Sequence, residues 1–402
     1  MIFNMIAKGS GGGGGGSSAE RKDINFFDYD GTIVASYTAQ EWAGVTALPD
    51  NPSHDGLTAQ GWNHTLAQIN TSVSTVGKCD VGQMYVTSSG DTEIDIELDA
   101  LRKKPYLGLA INGTVVIDWG DGSETDTVTG TSLSTHKSTA HTYSNAGEYT
   151  IKIKATEGEF IFYGNNTTYV LGDGSNANTG RVYANAVKAI RIGNGLSAIG
   201  NYGLWYLQSL KSITMPNGIM RIDTKAFQYC YSLKHINIPT GFSIIDSYAF
   251  NYCGSLETIS LPNGVELAPY AFANCSALKS IVIPSGAQLL AVNSFYYCYS
   301  LEFINIPNSI TAIGGASLNW CCSLTSLTIP SGVTSIQINA FNSCYGLKEI
   351  IMLPTTPPTL TSANVFNNQA SDCIIYVPSA SLEAYKTAQY WSNHESRIQA
   401  LP

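Results

Sequence analysis

The chain has 402 residues, which is enough for two or three domains of ordinary size. Only 13% of the residues are charged, whereas Gly (38) and Tyr (23) are abundant, a composition typical of strands and tight turns. The net charge of −9 argues against a nucleic-acid partner, because phosphate binding needs clustered Lys and Arg, and no apolar run is long enough to insert into a membrane.

Residues 1–21 combine a short apolar head with a Gly/Ser run from Gly9 to Ser18, which predicts a flexible linker. The start has neither the basic leader nor the apolar stretch of a secretory signal peptide. We therefore expect no ordinary secretion signal in this sequence.

Residues 22–90 predict a small α+β module with a helical stretch from Thr58 to about Val76. Its segment Asp28-Tyr29-Asp30-Gly31-Thr32 matches the D-x-D-G-T loop of haloacid-dehalogenase-type phosphatases, in which the first Asp attacks phosphorus and the second is the acid/base. That chemistry needs a parallel α/β domain, a later Lys and a further acidic pair, a context that this module does not offer. The segment instead predicts a hairpin turn, and we predict no catalytic residue.

The same module carries a second resemblance. The segment from Glu20 to Thr32, together with the segment from His54 to Trp62, is similar to the N-terminal module of tail-associated proteins in phages and prophages of gut-type bacteria. This resemblance implies a virion component whose head peptide docks it to other virion proteins.

Residues 91–171 predict a β-sandwich, because apolar and polar residues alternate along 92–98, 114–118 and 148–154. The turn W-G-D-G-S at 119–123 and the later H-T-Y at 141–143 resemble the polycystic-kidney-disease (PKD) domain, an immunoglobulin-like sandwich. The resemblance implies a spacer module. Asp121 and Asp126 leave a calcium site open, but acidic turns of this kind are mostly solvated, and we predict no metal.

Residues 172–370 carry an internal repeat of 22 or 23 residues, and an earlier, degenerate copy starts at Val187. The repeat leucines are Leu210, Leu233, Leu256, Leu278, Leu301, Leu324 and Leu347. Apolar residues three and five positions later describe a short half-buried strand, and a Pro at the sixth position usually ends it. The fold class is therefore mainly β, with a solenoid of about eight stacked coils.

The repeat phrase from Ala249 to Pro262 (AFNYCGSLETISLP) resembles the BspA-like leucine-rich repeat of bacterial surface proteins, and the resemblance extends over about 187–370. Residues 371–402 are similar to that family's closing element, with a strand at 373–377 and a helix through Leu382 and Tyr385. The family implies binding of proteins or glycans, without catalysis and without cofactors.

Six of the nine cysteines lie three residues before the next repeat leucine: Cys230, Cys253, Cys275, Cys298, Cys321 and Cys344. Neither C-x-x-C pairs nor nearby histidines accompany them, so a metal site is not predicted. We expect a buried ladder of reduced thiols that behave as small hydrophobic groups. Cys322 is expected to be the more exposed thiol.

Two sets of residues are candidates for ligand binding. Aromatic residues beside the cysteine positions are Tyr229, Tyr231, Tyr252, Tyr297, Tyr299, Trp320 and Tyr345. Polar residues between the core positions of the strands are His235, Asn237, Thr258, Ser260, Asn305 and Thr328. Stacked coils should align the rings into a stripe beside a polar sheet face, which suits a glycan or a protein loop. Alternatively, the rings only cover the edge of the solenoid.

Three functions remain open from the sequence. The first is a virion-borne, extracellular recognition protein that binds a protein or glycan on the host surface. The second is a bacterial cell-surface leucine-rich-repeat adhesin whose signal peptide is missing from this sequence or whose start codon is misassigned. The third, an enzyme, depends on Asp28 and Asp30 alone.

Overall fold

The structure is a computed structural model, and it describes residues 20–164, 171–172, 183 and 185–402. The predicted head peptide and the whole Gly/Ser run from Gly9 to Ser18 lie outside the described residues.

The N-terminal module contains β1 (Ile24–Phe27), β2 (Ile33–Tyr37), α1 (Ala39–Trp42), β3 (Leu57–Trp62), α2 (Leu66–Val76) and β4 (Cys79–Thr87). Its sheet has the order β2-β1-β4-β3, with β1 and β4 parallel. Segment 28–32 forms the turn of the β1–β2 hairpin, as predicted. The helix prediction was wrong before Thr65. Residues 57–62 form a strand because they pair with β4, and Thr65 and Gln68 form the capping box that starts α2.

The next region contains β5 (Thr92–Leu98), β6 (Tyr106–Asp118), β7 (Asp126–Ala140), β8 (Gly147–Phe162) and β9 (Leu171–Gly172). Strand β8 pairs with both β5 and β6, and β6 also pairs with β7. The W-G-D-G-S turn at 119–123 and the H-T-Y segment at 141–143 lie in contact with each other. The Trp119 indole stacks on the His141 imidazole at 5.2 Å, and the Tyr143 hydroxyl donates to the Trp119 carbonyl at 2.8 Å.

This region is joined to the solenoid rather than set apart as a spacer. Strand β10 (Val187–Arg191) pairs antiparallel with β5, and β11 (Leu196–Ile199) pairs in parallel with the end of β8. One apolar core runs without a break from Ile94 to Ile398. Because exposed strand edges invite pairing with other chains, β5 and β8 cap the first coil by covering the edges of both its strands.

Each further coil contributes one strand to a first sheet and, except in the last coil, a two-residue strand to a second. In chain order these are β12 (Ser212–Thr214) and β13 (Arg221–Ile222), β14 (His235–Asn237) and β15 (Ile244–Ile245), β16 (Thr258–Ser260) and β17 (Glu266–Leu267), β18 (Ser280–Val282) and β19 (Leu289–Leu290), β20 (Phe303–Asn305) and β21 (Ala312–Ile313), β22 (Ser326–Ile329) and β23 (Ser335–Ile336), β24 (Glu349–Met352) and β25 (Thr359–Leu360), and β26 (Ile374–Val377). All pairs between coils are parallel.

The solenoid has nine coils, one more than predicted. The extra coil arises because β26, expected as part of the closing element, continues the ladder by pairing with β24. The closing element then consists of α3 (Leu382–Thr387) and β27 (Ile398–Ala400), which pairs with β26. The buried Trp391 indole donates to the Pro358 carbonyl at 2.8 Å and fixes this element to the last coils.

The interior is built from equivalent apolar residues stacked coil upon coil. Phe227, Phe250 and Phe272 are buried and stacked with nearly parallel planes, their ring centroids 5.0 and 5.3 Å apart. Beside them the six repeated cysteines are buried, as predicted, and each thiol donates to a backbone carbonyl of the preceding coil. Cys253, for example, donates to the Phe227 carbonyl at 3.1 Å, which satisfies the buried thiol and fixes the coil spacing.

Candidate functional site

The candidate rings lie on the tight turn that precedes each first-sheet strand. Tyr229, Tyr252, Tyr297 and Trp320 have φ between +62° and +67°, the left-handed region. This conformation lets each backbone N–H donate to a carbonyl of the next coil. It costs a non-glycine residue roughly 1–2 kcal/mol, least for Asn, and another coil does place an asparagine, Asn274, at this position. The backbone therefore does not require a large ring here.

Toward the N-terminal end of the solenoid the rings lie largely face to face, and they include Tyr206, which was not among the sequence candidates. Tyr206, Tyr229 and Tyr252 form the ring stack, with centroids 4.4 and 5.0 Å apart and planes tilted by 31° and 21°. Tyr231 packs beside Tyr229 at 5.9 Å. Stacked neighbours cover one another's faces, so the stack presents mainly ring edges and hydroxyl groups.

The second group is arranged differently. Tyr297, Tyr299, Trp320 and Tyr345 form the inclined group, in which the Trp320 plane makes angles of 47°, 76° and 71° with the three tyrosines. Tyr299 and Tyr345 are 43% and 48% exposed. Inclined rings leave faces open to solvent. The predicted stripe is thus two groups, separated by the coil that contains Asn274.

The predicted polar sheet face is not open where it was expected. His235 and Asn237 are buried, because the N-terminal module lies on β12, β14 and β16. The His235 ring packs on Phe27 at 4.9 Å, and the Asn237 amide donates to the Gln83 carbonyl at 3.2 Å. Burial lowers the pKa of His235 to about 4, so this imidazole is neutral at pH 7. These two residues are contacts within the chain and not a ligand surface.

Further contacts show how closely the module fits. The Ser260 hydroxyl donates to the Asp80 carbonyl at 2.7 Å, and the Asn63 amide donates to the Ile238 carbonyl at 2.8 Å. A Cβ atom on Gly82 would lie 2.2 Å from the Asn237 side chain, so only glycine fits there. The module is therefore a tightly packed cover over the first sheet.

Two other predicted residues have different positions. Asn305 is buried against the backbone of the preceding coil, where its amide donates to the Ile283 carbonyl at 3.2 Å. Thr258 is buried beneath the cover and contacts His235. Thr328, which lies beyond the cover, is exposed as expected.

The four acidic residues that the sequence raised as catalytic or calcium-binding candidates each accept a hydrogen bond or pair with a protein group. The Asp28 carboxylate lies 2.6 Å from His54 Nε2, and Asp30 accepts from the Thr32 N–H at 2.9 Å. Hydrogen bonds from Ser123 and His141 lower the pKa of Asp121 to about 2. The Asp126 carboxylate accepts from the Trp119 indole at 3.0 Å. These contacts give Asp28 and Asp30 a structural role in the hairpin turn.

Within the part of the chain that the structure describes, no group of three or more His, Cys, Asp or Glu side chains is placed to hold a metal ion. Among these same residues, no helix is both long and apolar enough to cross a membrane.

A family model described as the BspA type leucine rich repeat region matches residues 181–285 and 265–388 in six copies, together more than half of the chain. A leucine-rich-repeat protein of T. pallidum (TpLRR) is 27% identical over 41% of this chain and 79% of its own, with a TM-score of 0.33. One from Bacteroides ovatus ATCC 8483 is 23% identical over 54% and 66%, with a TM-score of 0.34. A leucine rich cell surface protein of Faecalibacterium prausnitzii A2-165 is 20% identical over 53% and 84%, with a TM-score of 0.31. No curated protein matches the chain.

Proposed function

Because the chain belongs to the BspA-type leucine-rich-repeat family, we propose that it is a non-catalytic recognition protein that binds a surface protein or glycan through its aromatic turn residues. One observation carries this proposal. Tyr and Trp occupy left-handed positions at which an asparagine would fold at lower cost. A binding role explains why rings are kept there.

The surroundings of the rings support binding. Tyr231, Tyr252, Tyr299 and Tyr345 are each at least 40% exposed, although aromatic side chains are usually more deeply buried. Exposed aromatic clusters are enriched at interfaces, where a few rings supply most of the affinity. The three turns that carry the inclined group, 295–301, 318–324 and 341–347, contain no charged residue. Affinity would therefore come from desolvated ring surface and hydrogen bonds rather than from electrostatic attraction.

Two places of action are compatible with this role. Family membership supports a bacterial cell surface. The resemblance of segments 20–32 and 54–62 to tail-associated modules supports a virion. Genes for tail and baseplate proteins beside the coding gene would favour the virion, whereas sortase or surface-layer genes would favour the cell surface.

The proposal is tested with two variants, Tyr297→Ala combined with Tyr299→Ala, and Trp320→Ala alone. Leu289→Ala is the matched control, because Leu289 is also exposed but lies on the second sheet. Adsorption of purified protein to host cells or envelope glycans and thermal melting are measured on every variant. We expect both ring variants to weaken adsorption about tenfold or more, as hot-spot rings do, and the control to bind as the parent protein does.

The opposite pattern would refute a binding role. If the ring variants melt at lower temperature but adsorb normally, the rings serve only as cover for the solenoid edge.

A further inference from the structure

Between the two exposed tyrosines of the inclined group, one position lacks a ring. The residues two positions before each repeat leucine form the outer rung, which consists of Gln208, Tyr231, Gly254, Ser276, Tyr299, Cys322 and Tyr345. Cys322 therefore lies between two exposed tyrosines, one on each neighbouring coil. Its side chain is far shorter than theirs and is only partly exposed.

The gap has the dimensions of a slot. Neighbouring coils are about 4.8 Å apart, so Tyr299 and Tyr345, two coils apart, lie about 10 Å from each other. Trp320 borders the gap, with its ring centroid 6.3 Å from that of Tyr299 and 5.5 Å from that of Tyr345. The Cys322 thiol points toward the backbone, 3.6 Å from the carbonyl of Trp320, and forms the floor. We name Tyr299, Trp320, Cys322 and Tyr345 the ring slot.

We propose that the ring slot holds one sugar ring of a neutral glycan. The inference rests on the proposed recognition function and names the ligand class of its site. A saturated sugar ring presents C–H groups on both faces, and these pack well against aromatic faces on either side of a slot. The distance of about 10 Å between Tyr299 and Tyr345 is reduced by half the thickness of each aromatic ring. The remaining space is wide enough for one sugar ring.

The polarity of the surroundings favours a neutral ligand. The turns around the slot carry no charge, so a carboxylated or sulfated sugar would lose hydration without gaining an ion pair. The same three turns also contain Ser300, Ser323 and Asn342. Their hydroxyl and amide groups can form hydrogen bonds with sugar hydroxyls. Burial raises the pKa of both Tyr299 and Cys322, so the slot itself is uncharged at neutral pH.

The ring stack offers no equivalent slot. On the outer rung, Tyr231 is followed by Gly254 and then by Ser276, so a ring bounds that space on one side only. This difference supplies a matched pair of variants. Cys322→Tyr fills the slot, whereas Gly254→Tyr adds the same side chain at the equivalent position of another coil.

Both substitutions should be accommodated by the fold. Three natural coils already carry Tyr at this position. A Cβ atom on Gly254 would meet only the Ser276 hydroxyl, at an ordinary 3.6 Å. Binding to a printed panel of neutral gluco-, manno-, galacto- and N-acetylglucosamine oligosaccharides, with sialylated and sulfated oligosaccharides alongside, is measured for each protein. We expect Cys322→Tyr to lose binding to the neutral oligosaccharides about tenfold or more, and Gly254→Tyr to keep it.

Cys322 also provides a direct readout. Among the nine cysteines, all within the described residues, only Cys322 is not buried, so a bulky maleimide should label it alone in the native protein. A neutral oligosaccharide that occupies the slot should slow this labelling. If no neutral member of the panel protects Cys322, or if Cys322→Tyr binds as the parent does, the slot proposal is overturned.

The outcomes separate the two proposals. If Trp320→Ala abolishes adsorption to cells while Cys322→Tyr does not, the ring slot is wrong and the recognition function stands. If only a surface protein protects Cys322, the ligand is a protein loop and the glycan is excluded. If none of these variants changes adsorption, both proposals fail.

Discussion

Replacement of Phe250 by alanine tests whether stacked phenylalanines hold the coils together. Phe250 is fully buried between Phe227 and Phe272, and its ring is nearly parallel to both. Removal of the ring leaves a cavity and ends two stacking contacts at once. Because a coil contacts only its neighbours along the solenoid, both coil interfaces should weaken together.

The expected magnitude follows from burial. A buried Phe→Ala change costs about 3–5 kcal/mol, including the residual cavity, and each aromatic pair contributes about 0.5–1.5 kcal/mol of this. Phe250→Leu is the matched control, because Leu204 and Leu318 occupy the same place in other coils. Exchange of one large apolar side chain for another of similar volume should cost less than about 1.5 kcal/mol.

The assay is guanidinium unfolding followed by far-UV circular dichroism, with the slopes of the parent and variant transitions compared. A loss of less than about 1 kcal/mol for Phe250→Ala would refute the role assigned to the stack. An equal loss for Phe250→Leu would show that the aromatic character matters more than the cavity.

Three further outcomes are expected. Native alkylation should modify Cys322 alone and all nine cysteines only after denaturation, and rapid native labelling of any buried thiol would contradict the stacked interior. Gly82→Val should displace the N-terminal module, because the valine side chain would collide with Asn237. We expect faster amide hydrogen exchange in residues 79–87 of this variant, and unchanged exchange would disprove close docking. Burial holds the pKa of His235 near 4, below its unfolded value of 6.5, so the stability that depends on its neutral form is complete above pH 6.5 and is lost as the pH falls from 6.5 through 4. His235→Gln should flatten that dependence of the melting temperature on pH, and an unaltered profile would assign it to other groups.

The sequence predicted the solenoid well because the repeat is a local pattern. Leucines at a constant spacing, with apolar residues at fixed offsets, define both the strand and its buried face. The burial of Cys253 and its equivalents followed from the same periodicity. The ninth coil was missed because the segment before β26 breaks the spacing, so only its pairing with β24 reveals it.

The covered sheet face could not be predicted in this way. His235 and Ser260 alternate with apolar residues as they would on an open sheet face. Their partners, Phe27 and Asp80, are about two hundred residues away in sequence, and no local signal links them. A glycine that permits close approach, such as Gly82, offers a hint only after the contact is known.

The most direct test of the recognition role is hydroxyl-radical footprinting of the protein while it is bound to its target cells. Mass spectrometry then reports which side chains lose oxidation on binding. We expect protection of Tyr299, Trp320 and Tyr345, with the exposed strand 126–140 oxidised as in the free protein. Unchanged oxidation of the three rings, together with protection of another surface, would contradict recognition through the aromatic turns.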